Sequence, residues 1–217
     1  MQHPIPPKAI VFDLDGTLVN SNGQVLKAFG HALEPFGVKV SGELLEKVRS
    51  RSQHDLFEGL IHDKDTPEAL RRLSEFAMSA ANQVELFVGL RETVEHLRAQ
   101  GVPMAVWTGR DALTAQEILQ NLNLSSYFKK IVAGCHVKKN KPHPEGLMSL
   151  VGHFGLLADE VLMIGDHAHD ILGAKGAGCR SALACWGRED GKGQENLGAD
   201  HTFMTPDELH RFVKLLF

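Results

Sequence analysis

The fold of this chain is decided by its first apolar run and the turn that follows it, Lys8-Ala9-Ile10-Val11-Phe12-Asp13-Leu14-Asp15-Gly16-Thr17. A short apolar run that enters a polar, glycine-containing turn is typical of a buried β-strand. The strand would end at two carboxylates, Asp13 and Asp15, which would point the same way if the strand geometry continued. Because ligands of open α/β sheets bind beyond the carboxyl ends of the strands, we expect chemistry at this turn.

Four later runs have the same short, apolar character: 103–107, 130–133, 161–164 and 181–185. Helical periodicity separates them, and a last helix is predicted to begin at the capping sequence Thr205-Pro206-Asp207-Glu208. This alternation predicts an α/β fold with a three-layer, Rossmann-like core, in which helices cover both faces of a mostly parallel sheet.

Residues 19–88 interrupt the alternation, because they show helical spacing and no convincing strand. Their apolar residues fall on three helical faces, namely Val25, Phe29, Ala32, Leu33 and Phe36; Leu56, Phe57, Leu60 and Ile61; and Leu70, Leu73, Phe76, Ala77, Ala80 and Val84. Amphipathic helices of this kind form small bundles. We therefore predict a core domain of residues 1–18 and 89–217 and an all-helical inserted domain of residues 19–88.

The composition excludes several classes of protein. Of the 217 residues, 43% are hydrophobic and 23% are charged, as in ordinary globular domains. The formal net charge of -4 gives no basic surface for nucleic acid or an acidic membrane. No apolar run reaches the ~18–20 residues that cross a bilayer, and the three cysteines form no metal-type pair. We expect a cytoplasmic protein that binds neither nucleic acid nor membranes.

A second pair of carboxylates follows the predicted strand 161–164. Asp166 stands at the end of that strand and Asp170 near the start of the next predicted helix. Together with Asp13 and Asp15 they could meet at one edge of the sheet, where carboxylate oxygens without clustered His or Cys ligands favour Mg²⁺ over zinc. Taken alone, each pair is as typical of a helix cap or a turn as it is of a metal site.

Two other strand ends carry groups suited to a phosphate. Thr108, Gly109 and Arg110 follow the run 103–107, and Lys141 precedes a helix that would begin near Pro144. A hydroxyl, backbone amides and an ammonium group offset the charge of a transferring phosphoryl group. Alone, Thr108 could be a β-branched strand end and Lys141 part of a solvated loop. It is improbable that residues of these types follow four strands in this order by chance.

These motifs resemble the haloacid dehalogenase-like superfamily, in particular its phosphoglycolate phosphatase-like members with a helical cap inserted after the first strand. The resemblance covers nearly the whole chain, and its motifs are Asp13-Leu14-Asp15-Gly16-Thr17, Thr108-Gly109-Arg110, Lys141-Pro142-His143-Pro144 and Gly165-Asp166-His167-Ala168-His169-Asp170. It implies that Asp13 is the nucleophile and Asp15 the general acid and then base.

The resemblance also implies binding sites. Thr108, Gly109 and Lys141 would hold the phosphate. Magnesium would be bound by Asp13, by the main-chain carbonyl of Asp15 and by Asp166, with Asp170 as a weaker or indirect ligand.

Asp15 favours phosphoryl transfer over related reactions. Dehalogenases and phosphonoacetaldehyde hydrolases of the superfamily lack an acid at this position. Sugar-phosphate mutases keep both aspartates but have a hinge histidine where this chain has Val25. Asn20 stands where many relatives have an aspartate. This difference affects the expected hinge or a substrate contact, and it leaves the expected reaction unchanged.

Arg49 and Arg51 lie between two predicted helices of the insert, where caps of this family reach over the active site. They would bind a substrate carboxylate or phosphate, unless their loop is merely solvated. We thus predict a magnesium-dependent phosphatase for a small phosphorylated metabolite, with phosphoglycolate as the leading substrate, acting as a monomer or homodimer. The alternatives are a phosphomutase and a catalytically inactive regulatory binding module.

Overall fold

The main element of the structure, a computed structural model that describes residues 5–40, 56–57, 59–187 and 198–217, is a six-stranded parallel sheet. In chain order the strands are β1 (Ala9–Phe12), β2 (Val19–Asn20), β3 (Glu85–Leu86), β4 (Met104–Trp107), β5 (Phe128–Val132), β6 (Val161–Gly165), β7 (Arg180–Ala184) and β8 (His201–Phe203). The sheet has the order β5-β4-β1-β6-β7-β8 and every pairing in it is parallel. Strand β1 therefore lies inside the sheet, between β4 and β6.

Helices cover both faces of this sheet. The described helices are α1 (Asn22–Leu33), α2 (Thr66–Ser79), α3 (Leu90–Ala99), α4 (Ala112–Asn121), α5 (Glu145–Phe154), α6 (Ala168–Ala177) and α7 (Pro206–Leu216). Since side chains alternate along a strand, Ile10 and Phe12 pack with residues of α3, α4 and α7 on one face. Ala9 and Val11 pack with residues of α5 and α6 on the other. The predicted three-layer α/β core is confirmed.

The predicted strand positions agree with the structure to within two residues. The predicted cap of the last helix is also present, since the Thr205 hydroxyl accepts a hydrogen bond from the Glu208 amide. Strand β8 was not predicted, because a three-residue edge strand with the sequence His201-Thr202-Phe203 contains no apolar run.

Helices α1 and α2 form a hydrophobic cluster of their own with residues 56 and 57, which we call the insert cluster: Ala28, Phe29, Ala32, Leu33, Leu56, Phe57, Ala69 and Leu73. This confirms the apolar face predicted for α1. For α2 it confirms Leu70, Leu73 and Phe76, whereas Val84 lies beyond the end of the helix and packs in the main core. The rings of Phe29 and Phe57 lie 5.6 Å apart at its centre. The division into residues 1–18 and 89–217 on one side and 19–88 on the other stays a prediction.

The expectation that residues 19–88 are all-helical is wrong at both ends of the segment. Val19 pairs with Leu86 and Asn20 with Glu85 in an antiparallel ladder, so β2 and β3 tie the two ends together. Two residues are too few to show the alternation by which a strand is recognised in sequence.

The described helices are short compared with a membrane span. The longest, α2, has 14 residues, whereas about 20 apolar residues are needed to cross a bilayer. None of the helices within the described ranges meets the length and hydropathy of a transmembrane segment.

The insert cluster can be tested by removing one ring from it. Phe29 is 3% exposed, so Phe29→Ala should lower the free energy of unfolding by about 3–5 kcal/mol through lost burial and a residual cavity. Lys27→Ala, at an exposed position of the same helix, is the matched control and should change it by less than about 0.5 kcal/mol. Urea unfolding measures both, and similar values for the two variants would contradict the packing described.

Candidate active site

The centre of the site is an ion pair between Asp13 and Lys141. Asp13 follows β1 directly, and its amide still donates to the Ile164 carbonyl at 2.8 Å, which holds the residue against β6. Lys141 comes from the loop before α5, and its Nζ lies 2.7 Å from Asp13 Oδ1. Both side chains are largely buried, with 12% and 11% of their surface exposed. The interpretation of Lys141 as a solvated loop residue is therefore wrong.

Lys141 has three further contacts. Its Nζ donates to Asp170 Oδ1 and to the Trp107 carbonyl, both at 2.6 Å, and it lies 4.7 Å from the centre of the Trp107 ring. An ammonium group has three protons to donate, so Asp13, Asp170 and the carbonyl use all three. Its position is thus fixed from several sides.

Three buried carboxylates, Asp13, Asp166 and Asp170, meet at this site, and the first and last of them bind the ammonium group. Each offers an oxygen, and these oxygens lie within 4.8 Å of one another. Asp170 is further oriented by the His167 amide, which donates to its Oδ2 at 3.1 Å. The strand ends of β1 and β6 therefore meet as the sequence predicts.

Gly16 makes room for this cluster. Its φ of +80° lies in the left-handed region, and a Cβ at this position would lie 2.4 Å from Asp166 Oδ2. A side chain here would displace the Asp166 carboxylate, so the glycine of the first turn is required by sterics.

The residues present fit a divalent cation. If ionised, the three carboxylates and the single ammonium group of this cluster leave two negative charges, which one Mg²⁺ would balance. The donor atoms are hard carboxylate oxygens, the type that Mg²⁺ prefers.

The Asp15 side chain lies outside the carboxylate cluster. Its Oδ2 accepts from Arg110 Nε at 3.0 Å and its Oδ1 from Arg110 Nη2 at 2.5 Å. Ser21 Oγ also donates to Oδ1, at 2.5 Å. The Asp13 and Asp15 side chains thus have different partners, Lys141 and Arg110, and the expectation that they point the same way stays a prediction.

Thr108 and Gly109 lie in the loop that connects β4 to α4. Thr108 is 2% exposed, its amide donates to the Val132 carbonyl, and its Oγ1 accepts from the Arg110 amide at 3.1 Å. The Gly109 carbonyl lies 2.7 Å from where a Cβ of Gly134 would be. The loop is thus fixed at the sheet edge where Asp13 lies, and the predicted phosphate-binding roles of both residues stay predictions.

The charges around the site shift its pKa values in opposite directions. Burial raises the pKa of Asp13 well above its ordinary value of 3.8, Lys141 opposes this, and Asp170 and Asp166 add to the rise. Burial would also raise the pKa of Asp15, but the ion pair and hydrogen bonds with Arg110, together with the Ser21 bond, lower it overall. Burial would lower the pKa of Lys141, but Asp13 and Asp170 raise it overall, so the amine stays charged.

Sequence reasoning missed three residues of the site: Ser21, Trp107 and Arg110. Arg110 belongs to a recognised motif, but the sequence assigns it no function, because its burial and its contact with Asp15 depend on tertiary structure. The contacts of Ser21 and Trp107 depend on tertiary structure. His167 and His169 of the fourth motif are half-buried, with ring centres 4.7 Å apart. Arg49 and Arg51 lie outside the described residues.

Comparison with known proteins matches most of the chain. The family model for haloacid dehalogenase-like hydrolases matches residues 10–184. A phosphoglycolate phosphatase of Photorhabdus laumondii is 32% identical over 185 residues, which cover 79% of this chain and 77% of that protein. The pyrophosphatase PpaX of Bacillus cereus is 31% identical over 82% of each chain.

The fold has solved counterparts as well. The crystal structure of a predicted phosphoglycolate phosphatase from Haemophilus somnus superposes with a TM-score of 0.82 at 25% identity, over 94% of this chain and 97% of that one. A hydrolase from Pseudomonas syringae gives a TM-score of 0.83 at 23% identity and shares the fold.

The raised pKa of Asp13 predicts that this residue destabilises the metal-free protein at neutral pH. A carboxyl whose pKa is raised on folding contributes stability below pH 3.8, and that contribution is lost as the pH rises through the folded-state value. Asp13→Asn, which keeps the shape without the charge, should therefore raise Tm at pH 7 in chelator, by about 2–4 °C for each kcal/mol gained.

The gain in Tm should shrink as the pH is lowered from 7 towards 4, because Asp13 of the parent protein becomes protonated. Asp63→Asn, at an exposed carboxylate, is the control and should show no such pH-dependent gain. A lower Tm for Asp13→Asn throughout this range, measured by circular dichroism, would contradict the assigned electrostatics.

Proposed function

The chain belongs to the haloacid dehalogenase-like hydrolases and is a phosphatase of that family, and on this basis we propose that it hydrolyses a small phosphate monoester through an aspartyl-phosphate on Asp13. The observation that carries the proposal is the buried Asp13 carboxylate, placed beside the Lys141 ammonium group at a sheet edge shared with Asp166 and Asp170. One cluster thus supplies a carboxylate for the proposed nucleophile, a fixed cation, and further carboxylates for the proposed metal.

Asp13 is the nucleophile in this proposal. A carboxylate oxygen of Asp13 attacks phosphorus, the bond to the leaving-group oxygen breaks, and an acyl phosphate forms. Water then attacks the phosphorus, the acyl phosphate bond breaks, and inorganic phosphate and the free carboxylate are released. Lys141 keeps Asp13 oriented and offsets negative charge on the phosphoryl oxygens.

Asp15 moves the protons of the two steps. Its contacts with Arg110 and Ser21 favour the carboxylate form, which accepts a proton from the attacking water, and its minor acid form gives a proton to the leaving-group oxygen. General acid–base catalysis of this kind contributes about 10²–10⁴ in rate. Thr108 and Gly109, which follow β4, are proposed to bind the phosphoryl oxygens through the Thr108 hydroxyl and the Gly109 backbone amide.

Magnesium is the proposed cofactor. Asp13, Asp166 and the Asp15 main-chain carbonyl would hold it, and Asp170, which already binds Lys141, would act indirectly or as a weaker ligand. When bound, Mg²⁺ withdraws charge from the phosphoryl oxygens and orients the group for attack. The charge balance of the cluster supports this assignment.

Phosphoglycolate is the proposed substrate. Several relatives at 30–32% identity are phosphoglycolate phosphatases, while others are pyrophosphatases, so both compounds belong in a substrate test. The carboxylate of phosphoglycolate calls for a cationic partner away from the phosphate site. Arg49 and Arg51 are proposed for this contact on sequence grounds.

The two alternatives use the same fold. A phosphomutase would convert a sugar phosphate into its isomer, and Val25, which packs half-buried against the insert cluster, offers no titratable group at the position of the mutase histidine. An inactive binding module would release no phosphate from any ester.

Phosphate release tests the function directly. With Mg²⁺ present, we expect turnover of phosphoglycolate above that of pyrophosphate, a hexose monophosphate and p-nitrophenyl phosphate. Asp13→Asn should lose nearly all turnover of every substrate, because the amide cannot act as the nucleophile. Near-normal phosphate release by this variant would contradict the mechanism, and isomer formation without phosphate release would favour the mutase.

The metal assignment is tested by removing one ligand. Asp166→Ala should raise the Mg²⁺ concentration for half-maximal turnover by about 10–100-fold or more, since one negative ligand is lost from a shared site. Asp159→Ala, at an exposed carboxylate, is the control and should leave this concentration unchanged. Titration of MgCl₂ at fixed substrate measures it, and an unchanged midpoint in Asp166→Ala would show that Asp166 is not a ligand.

A further inference from the structure

Arg110 is a buried cation at the site to which the proposed reaction assigns no part. Its side chain is 8% exposed, whereas that of Asp15, its partner, is 29% exposed. We propose that Arg110 is a positioning residue, which fixes the Asp15 carboxyl in the orientation from which it serves the leaving group. The proposal rests on the proposed function, because it takes Asp15 as the general acid.

The contact between the two side chains fixes direction as well as distance. Arg110 Nε binds one oxygen of the carboxylate and Nη2 binds the other. Two parallel bonds from a planar guanidinium set the plane of the carboxylate, which a single donor cannot do. Both bonds come from the more buried of the two side chains, and part of the Asp15 side chain stays exposed.

The backbone of Arg110 is itself anchored. Its amide donates to Thr108 Oγ1 at 3.1 Å, and its carbonyl accepts from the Gly134 amide at 2.9 Å. The next residue, Asp111, caps α4 by accepting from the Thr114 amide at 2.9 Å. The guanidinium group is therefore carried by a loop that is bound to the sheet on one side and to a helix on the other.

Ser21 is a second residue that orients Asp15. This fully buried residue lies between β2 and α1, and its hydroxyl donates to Asp15 Oδ1. It stands at the N-cap position of α1 but makes no side-chain cap bond. Asp15 is thus oriented by Arg110 in the loop that connects β4 to α4 and by Ser21 between β2 and α1.

A positioning residue and a phosphate-binding residue differ in how their loss depends on the leaving group. An alkoxide leaving group is strongly basic and needs a proton from the acid, whereas p-nitrophenolate leaves with little help. A residue that acts through Asp15 should therefore matter for alkyl phosphates and little for p-nitrophenyl phosphate. A residue that binds the phosphoryl group should matter equally for both.

The experiment compares kcat/KM for p-nitrophenyl phosphate with kcat/KM for phosphoglycolate, or for the best alkyl monoester of the substrate test. Asp15→Asn should lower the alkyl value by about 10²–10⁴-fold and the aryl value far less. Arg110→Gln should lower the alkyl value by at least about tenfold more than the aryl value. The double variant should be no worse on the alkyl ester than Asp15→Asn, because Arg110 acts through Asp15.

Two further variants complete the comparison. Arg110→Lys keeps the charge but loses the fork, so it should show the same selective loss to a smaller degree, and it provides the test if Arg110→Gln does not fold. Arg98→Gln removes an exposed arginine that lies over Tyr127 and is the control, with both values expected to stay at the parent level.

Equal losses on both esters, no loss on either, or a further alkyl loss in the double variant would each overturn the assignment of Arg110. If Asp15→Asn itself shows no leaving-group dependence, the general acid of the proposed function is wrong and the inference fails with it. Selective loss in Asp15→Asn without selective loss in the Arg110 variants would overturn the inference alone.

Discussion

The ammonium group of Lys141 lies within hydrogen-bonding distance of two buried carboxylates, and the arrangement of the site depends on that contact. Buried carboxylates at this spacing repel one another, and without a cation they would be neutralised or pushed apart. Lys141 holds Asp13 and Asp170 together while its third proton binds the Trp107 carbonyl. One side chain thus joins the ends of β1 and β4 to the start of α6, and the remaining negative charge is left for a divalent cation.

The sheet order makes this convergence possible. Strand β1 lies between β4 and β6, all three are parallel, and neighbouring strands are about 4.8 Å apart. Residues that directly follow these strands are therefore close in space although they are far apart in the chain. The turn after β1 can approach β6 closely because Gly16 has no side chain. Asp15 pairs with Arg110 and Asp13 with Lys141, and the pKa of Asp15 is lowered whereas that of Asp13 is raised.

The sequence predicted the parts of this structure that depend on local pattern. Apolar runs identified five strands of the main sheet, and polar residues after them identified Asp13, Thr108, Lys141 and Asp166, because parallel strands bring their carboxyl ends together. Elements of two or three residues, such as β2 and β8, were missed because they are too short for periodicity. The partner of Asp15 was also missed, since a contact between residues 15 and 110 depends on how loops turn in space, which no local pattern encodes.

The Trp107 ring links the site to the helices behind it. A Cβ at Gly146 would lie 2.3 Å from Trp107 Nε1, and one at Gly173 would lie 2.5 Å from the far edge of the ring. The indole fills the space that α5 and α6 leave by having glycine at these positions, and its face supports Lys141. A larger residue at 146 or 173 would therefore require a smaller residue at 107, so these three positions are coupled by sterics although they lie far apart in the chain.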